Sequence, residues 1–365
     1  MSSPPFRADH VGSLLRPPEL LAARAGFDRG ELAAEALRAV EDQHIIDAVR
    51  LQESVGLQSI TDGEYRRVIY FSHFPAAVSG FTEMEMPRTF RDEQGRELRY
   101  TGAVVTGKLR RQRGIATEEF LYVRSLTERT PKVTLPSPTQ QVTLRWREGV
   151  SDRAYPDRDE LHEDVVRIYR EELNELGRLG CTYVQLDDVT LGLLCDENQR
   201  AQILAAGEDL DQVLERHIRL VNEALMGRPA GMVIAIHICR GNNQSRWLGE
   251  GGYEAIADRI FGGLRIDAFF LEYDTPRAGS FEPLARMPRE RRVVLGLVSS
   301  KTPELEPADD LVRRLDEAAR YFPIERLAIS PQCGFASTAP GNSLTAADQE
   351  AKLRLVVGVA DRVWG

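Results

Sequence analysis

His237 and Cys239 stand two residues apart at the end of the β-branched run Met232–Ile238. Side chains alternate along a strand, so Ile234, Ile236 and Ile238 share one face and Ala235, His237 and Cys239 the other. An imidazole and a thiol on one face can grip a single ion, although a buried His beside a buried Cys is also ordinary core. Glu272 directly follows Phe269, Phe270 and Leu271. A carboxylate there must be neutralised, by an arginine or by a metal, because an unpaired buried charge is costly. Cys333 lies at the rim of a third run, Ala328-Ile329-Ser330-Pro331-Gln332-Cys333-Gly334, and reads as a ligand or as a small buried hydrophobe. One nitrogen, two sulfurs and one oxygen from three strand ends suit tetrahedral zinc. His237, Cys239, Glu272 and Cys333 are therefore the candidate ligands of a Zn2+ cofactor.

These residues meet only if several strand ends converge. Short β-branched runs at Leu57–Asp62, Ala103–Thr106, Lys132–Leu135, Thr182–Leu186, Met232–Ile238, Ala268–Leu271, Val293–Leu297 and Leu327–Ile329 read as strands. Helical periodicity marks Glu31–Val55, Thr117–Thr130, Asp159–Leu179, Asp209–Leu225, Tyr253–Ile260, Asp309–Tyr321 and Thr345–Arg362. Such alternation predicts a parallel α/β protein, a (β/α)8 TIM barrel forming one domain over residues 1–365. No Gly-x-Gly-x-x-Gly follows a strand, which disfavours a dinucleotide-binding open sheet. Two segments break the rhythm. Phe81–Tyr100 reads as a hairpin-like excursion over one end of the barrel, and Val142–Pro156, holding Trp146, as a long loop. Both are candidate pocket walls, since barrel sites are built from loops at the C-terminal ends of strands, and both are equally plain insertions.

Composition removes other classes. The 365 residues carry 47 basic and 56 acidic side chains, a net charge of −9, which argues against a nucleic-acid or anionic-membrane surface. No run of apolar residues is long enough to span a bilayer, and the opening MSSPPFRADH lacks the apolar core of a signal peptide. Four cysteines are too few for a disulfide scaffold and point to a reducing, cytoplasmic setting. Cys181 and Cys195 read as buried bystanders.

Further segments carry a resemblance to a known family. Asp9-His10-Val11-Gly12-Ser13, Thr61-Asp62-Gly63-Glu64, Gln185-Leu186-Asp187-Asp188, His237-x-Cys239, Leu271-Glu272 and Pro331-Gln332-Cys333-Gly334 resemble, over nearly the whole chain, the catalytic half of cobalamin-independent methionine synthases, and most of all their short single-barrel relatives. The resemblance implies that the same four ligands hold a zinc ion that keeps a substrate thiol deprotonated, Glu272 being the natural one to yield its place. It implies alkyl transfer to sulfur, with homocysteine as the thiol and methionine as the product. Glu64 and Asp187 match carboxylates that contact the amino group. Gly12 and Ser13 match the turn that binds the carboxylate. Without the resemblance these residues read as ion-paired or helix-capping acids and as a tight turn before Pro17-Pro18.

The donor side departs from the pattern. Gly296-Leu297-Val298-Ser299-Ser300-Lys301-Thr302 has no histidine where the family's folate-dependent enzymes carry one, and Trp146 matches their donor-stacking tryptophan only loosely. Lys301 and Arg240 adjoin the site loops and are candidates for contact with an anionic donor, methyltetrahydrofolate or a methylated corrinoid. Lys108, Arg110, Arg111 and Arg113 form a basic run that reads as a solvated face or an anion site, and His10 and His73 as pocket or core. Two alternatives accompany the homocysteine S-methyltransferase reading: alkyl transfer to another thiol, as in epoxyalkane–coenzyme M transferases, and a barrel with structural zinc. The paired acids Glu64 and Asp187 favour an amino-acid thiol over the first, and a Glu ligand argues against the second.

Overall fold

In the computed structural model, residues 3–86, 89–92 and 94–365 are described. Pro87, Arg88 and Glu93, inside the expected hairpin-like excursion, lie outside the described residues.

Helices form where apolar residues recur every three or four positions behind a polar cap. In Arg158–Arg178 the residues Leu161, Val165, Ile168, Tyr169, Leu173 and Leu176 line the buried face, and the Asp157 side chain accepts from the Asp159 N–H at 2.9 Å. Leu210–Ala224 begins in the same way, with Asp209 accepting from the Gln212 N–H at 3.0 Å. Thr345 and Asp348 close a reciprocal capping box at the start of Ala346–Trp364.

The strands are β1 (Ser59–Ile60), β2 (Val78–Glu85), β3 (Phe90–Arg91), β4 (Glu97–Leu98), β5 (Thr101–Arg111), β6 (Thr130–Pro131), β7 (Val133–Pro136), β8 (Tyr183–Asp188), β9 (Val233–Ile238), β10 (Ala268–Glu272), β11 (Arg292–Val298) and β12 (Leu327–Pro331). Strands β7 to β12 form a six-stranded parallel sheet in chain order. β1 pairs in parallel with β6, immediately before β7, and Ala8 bridges Ile329 of β12 in parallel. Tyr183, Ala235, Ala268, Phe270, Val294 and Ala328, from five consecutive strands, meet in one inner cluster. The alternate positions of those strands pack outward against the helices.

A polar plug lies in the same interior. The Asp9 carboxylate accepts from Ser59 Oγ at 2.7 Å, Tyr183 Oη at 2.9 Å and Lys132 Nζ at 3.1 Å, with the pair fully buried. Asp9 follows Ala8 beside β12 while Lys132 and Tyr183 belong to the β7–β8 side, so the plug ties the two ends of the sheet across the interior.

Three expectations are corrected. Ala103–Thr106 is not a strand of the parallel sheet; it belongs to β5, which pairs antiparallel with β2. A short β-branched run has the same propensity in either setting, and only its partner decides. The parallel partner that the sequence reading missed is the segment around Ala8, a single bridge too short to show a pattern. Val142–Pro156 is not a continuous loop, since Ser151–Ala154 forms a helical turn within it. The basic run sits on β5, where Lys108 pairs with Glu160, and Arg111 with Glu172 and Glu175. Among the described residues no helix is long and apolar enough to cross a membrane.

Candidate metal centre

His237 ends the inward-facing row of β9, and Cys239 continues it one residue beyond the strand. Cys333 lies two residues past β12. The ligand atoms of His237, Cys239 and Cys333 all fall within 4.8 Å of one another, and all three residues are buried. β9 and β12 are separated by β10 and β11, a span of roughly 14 Å in a flat sheet. Strong curling of the sheet is what brings these side chains together.

Both ring nitrogens of His237 are buried without a hydrogen bond. Cys333 is held well below the ordinary thiol range by Cys239, against burial, and by His237, whereas Cys239 is pushed up by Cys333 and by burial. Two thiols at this separation cannot both ionise cheaply without a cation. An orphaned imidazole beside two sulfurs is a borderline-soft donor set, and it fits zinc.

Glu272, the fourth candidate ligand, lies outside this 4.8 Å group but is near enough to act on the charges of His237 and Cys239. It faces inward at the end of β10, but its carboxylate is taken by others. Arg277 Nη2 donates at 2.7 Å and the Arg240 backbone N–H at 3.1 Å. These cations, with Lys301, outweigh burial and hold the Glu272 carboxyl down at about 2.

Two acids line the same pocket as the sulfurs. Asp187 on β8 is the register partner of His237 on β9, and its Oδ1 accepts from Gln185 Nε2 at 2.7 Å. Glu64 sits at φ +60°, an uncommon backbone state for a non-glycine residue. Its N–H donates to Asp62 Oδ1 at 2.8 Å, and the Gly63 carbonyl accepts from the Leu14 N–H at 3.0 Å. Glu64 Oε1 accepts from Thr134 Oγ1 at 2.8 Å and lies 3.2 Å from Arg67, while Oε2 is buried with no partner. Burial, opposed by Arg67 and reinforced by Asp187, pushes the Glu64 carboxyl up to about 7. Burial likewise raises Asp187 to about 6, against the pull of His237 and the Gln185 amide.

The turn Gly12-Ser13 closes the same space. Gly12 has φ +139°, and a Cβ there would come within 2.8 Å of Thr134 Cγ2. A Cβ on Gly334 would come within 1.9 Å of Ser13 Oγ, so only glycine lets the segment after Cys333 lie against the turn. Gly334→Ala is expected to displace Ser13 and raise KM for an amino-acid substrate by about tenfold. Metal content, checked alongside, should stay near wild type.

A narrow pocket joins these groups. Ser13, Glu64, Asp187, His237, Cys239 and Cys333 line it, together with Tyr70, Phe71, Phe90, Tyr100, Leu144 and Arg145. The Arg145 guanidinium lies over the Phe71 ring at 3.6 Å, and Tyr70 Oη bonds Gln140. Sequence reasoning missed this aromatic wall. Its one signal in the sequence is the cluster Tyr70-Phe71-Ser72-His73-Phe74, in which Tyr70 and Phe71, and not His73, reach the pocket. His73 is buried outside the pocket lining, and His10 bonds the Ser59 carbonyl through Nε2 at 3.1 Å.

The three donor-side candidates are not brought to the pocket. Trp146 packs against the helical layer with the Arg158 guanidinium 4.4 Å over its ring, and its neighbours Leu144 and Arg145 reach the pocket instead. Arg240 is fully buried, donating to the Gly251 carbonyl through Nε at 2.7 Å and lying 4.5 Å from the Tyr253 ring. Lys301 lines an adjacent cavity with Trp247, Asp274, Arg277 and Ser299. Cys181 and Cys195 lie in the main apolar core, apart from the other two cysteines.

Comparison with known proteins gives concordant matches. The profile of the cobalamin-independent synthase catalytic domain matches residues 6–361. The uncharacterized protein YxjG of Bacillus subtilis is 41% identical over 369 residues, covering 99% of this chain and 95% of that protein. A methionine synthase of Pyrococcus abyssi is 25% identical over 334 residues, covering 92% of this chain and 87% of its own length. A solved structure from Listeria monocytogenes, provisionally assigned as a vitamin-B12-independent methionine synthase, superposes with a TM-score of 0.76 at 31% identity over 99% of this chain and 98% of that one.

Proposed function

Because the chain belongs to the cobalamin-independent synthase catalytic-domain family, we propose that it is a zinc-dependent S-methyltransferase that converts homocysteine to methionine. One observation carries the choice of an amino-acid thiol: Glu64 Oε2 is buried without a partner in the pocket that Asp187 and the His237–Cys239–Cys333 group also line. A buried acid whose proton affinity is raised by burial and by a neighbouring acid, as Glu64's is beside Asp187, is relieved by an ammonium ion.

His237, Cys239 and Cys333 would hold the metal. When bound, zinc would supply the positive charge that keeps a substrate thiol deprotonated near neutral pH. Glu64 and Asp187 would fix the amino group, and the Gly12-Ser13 turn the carboxylate, so that only the sulfur reaches the metal side. Tyr70, Phe71, Leu144 and Arg145 would narrow the entrance and exclude water from the reacting atoms. In the transfer a sulfur lone pair would form the new S–CH3 bond while the bond between the methyl carbon and its donor breaks, the donor keeping that bond's electron pair. Methyltetrahydrofolate and a methylated corrinoid are the proposed donor classes; Ser299–Thr302, lacking the histidine of the family's folate-dependent enzymes, weighs towards the second. The parallel strands and the Ala8 segment are read as a (β/α)8 barrel forming one domain over residues 1–365, acting in the cytoplasm. The inner cluster and the Asp9 plug support that reading.

Incubating purified protein with homocysteine and, in turn, methyltetrahydrofolate, methylcobalamin and simple methyl donors tests the assignment, with methionine detected by mass spectrometry. Methionine from none of them, at full zinc loading, would remove the homocysteine reading. Glu64→Gln and Asp187→Asn are each expected to raise KM for homocysteine by about 10- to 100-fold, the worth of a charge-assisted hydrogen bond. Steady-state kinetics at saturating donor measure this, and unchanged KM in both variants contradicts the substrate pose.

A further inference from the structure

A cavity of about 580 Å3 opens between the start of helix Arg158–Arg178 and helix Leu210–Ala224, a volume typical of small-molecule sites. Among the described residues its lining shares nothing with that of the reaction pocket, although the two stand back to back. Val142 and Thr143 line the cavity where Leu144 and Arg145 line the pocket, and Thr190 lines it where Val189 lines the pocket. Helix Glu197–Ala205 closes another side. None of its nine residues is buried, and the stripe Gln199, Gln202 and Ile203, continued by Ala206, borders the cavity. A helix so lightly anchored can part to admit a ligand.

The lining combines an apolar floor with three groups that lack partners. Leu161, Leu193, Leu194, Val213 and Leu220 make the floor. His217 shares a hydrogen bond with Thr143 Oγ1 through Nε2 at 3.1 Å, but its Nδ1 and the Thr190 hydroxyl are buried with none. A buried polar atom left unpaired is costly, so two in one cavity are a place for a ligand to bond. Burial first, then Arg216 and Arg158, push the His217 imidazole down to about 4, so the ring is neutral at neutral pH and suits an uncharged polar group. The third group is a charge at the mouth. Arg216 and Arg219 pair with Glu208 and Asp159. Arg158 has no carboxylate partner among the described residues; it donates to the Val142 carbonyl at 3.0 Å and lies 4.4 Å over the Trp146 ring. A guanidinium held in this way presents its remaining N–H groups to an anion.

We propose that this cavity is a second binding site, for a small amphipathic carboxylate. The ligand's uncharged polar end sits on His217 and Thr190, its apolar body on the leucine floor and its carboxylate on Arg158. The site stands apart from the thiol-transfer reading, because neither the metal ligands nor Glu64 and Asp187 line it.

Isothermal titration calorimetry of the full chain with 10-hydroxydecanoate, decanoate and 1,10-decanediol tests this. The hydroxy acid should bind at about one site per chain, decanoate about fivefold more weakly for want of the inner hydrogen bond, and the diol at least about tenfold more weakly for want of the charge. Arg158→Gln should weaken both acids by about tenfold or more and leave the diol unchanged. His217→Phe should remove the preference for the hydroxy acid over decanoate; if that variant fails to fold, Thr190→Val reads the same preference. Ala206→Trp, on the exposed helix end, should fill the cavity and abolish binding of all three. Cys239→Ser and saturating homocysteine should leave the affinities as they are, which keeps failure of this site distinguishable from failure of the thiol-transfer reading. No binding of either acid, equal affinity for the two acids, binding untouched by both Arg158→Gln and Ala206→Trp, or displacement by homocysteine would each overturn the proposal.

Discussion

Cys239→Ser or Cys333→Ser is expected to give folded protein with far less than about one zinc ion per chain and methyl transfer lowered by at least about a hundredfold. Each substitution replaces a soft thiolate with a hydroxyl that stays protonated at neutral pH, so the donor set loses both charge and fit. The remaining cysteine and His237 would offer two ligands where the wild type gathers three within 4.8 Å. Folding should survive, because both cysteines sit in a small cluster with Leu144, Val189 and Leu193, outside the main core. Elemental analysis beside circular dichroism makes the measurement. Cys181→Ser and Cys195→Ser are the controls and should keep their metal. Full metal content in both Cys239→Ser and Cys333→Ser would sink the ligand assignment.

Lys132→Met is expected to cost about 3–5 kcal/mol of stability, a large share of the 5–15 kcal/mol typical of a folded domain. Its ammonium is fully buried, 3.1 Å from Asp9 Oδ1, and lies 4.2 Å over the Phe270 ring. Methionine fills a similar volume but leaves Asp9 charged in a space whose remaining donors are Ser59 Oγ, Tyr183 Oη and backbone N–H groups. The penalty is that of an uncompensated buried carboxylate, which is larger than the net worth of the pair. Adding Asp9→Asn should therefore restore part of the loss. Urea unfolding of the two single variants and the double variant measures the cycle, and a change below about 1 kcal/mol in Lys132→Met would show that the plug carries little of the stability.

Much of this was legible before any coordinates. Parallel α/β alternation showed in the sequence because strands buried on both faces read as β-branched runs, and the helices between them as three-and-four periodicity. His237, Cys239 and Cys333 were legible as a set because strand alternation puts the imidazole and one thiol on a single face and a second thiol stands at the rim of another run, although each alone also reads as core. Glu272 reads from the sequence as a fourth ligand, and the structure adds its arginine partner, Arg277. The alternative, neutralisation by arginine, was visible in principle, but Arg277 lies five residues away in a turn whose direction no pattern records. Ala103–Thr106 failed for a related reason, since strand propensity does not name a partner. Trp146 failed because the resemblance fixed a residue type near the pocket, whereas the chain delivers its neighbours Leu144 and Arg145 there. The aromatic wall was not foreseen at all. Such side chains declare apolar burial, and only the fold distinguishes a wall from a core.

The inner cluster has a mechanical corollary. Ala235, Ala268 and Ala328 are small residues on the inward faces of β9, β10 and β12, the same arc of sheet that carries His237 and leads to Cys333. The girth of the interior at that level sets the curvature of the arc, and the curvature sets the bite of the three donors. Enlarging one of these alanines would work like a wedge: with the donors untouched, the spacing between sulfur and imidazole would widen. Affinity for the ion thus doubles as a gauge of how tightly the strands are wound, and selection for a particular metal reaches residues that never approach it.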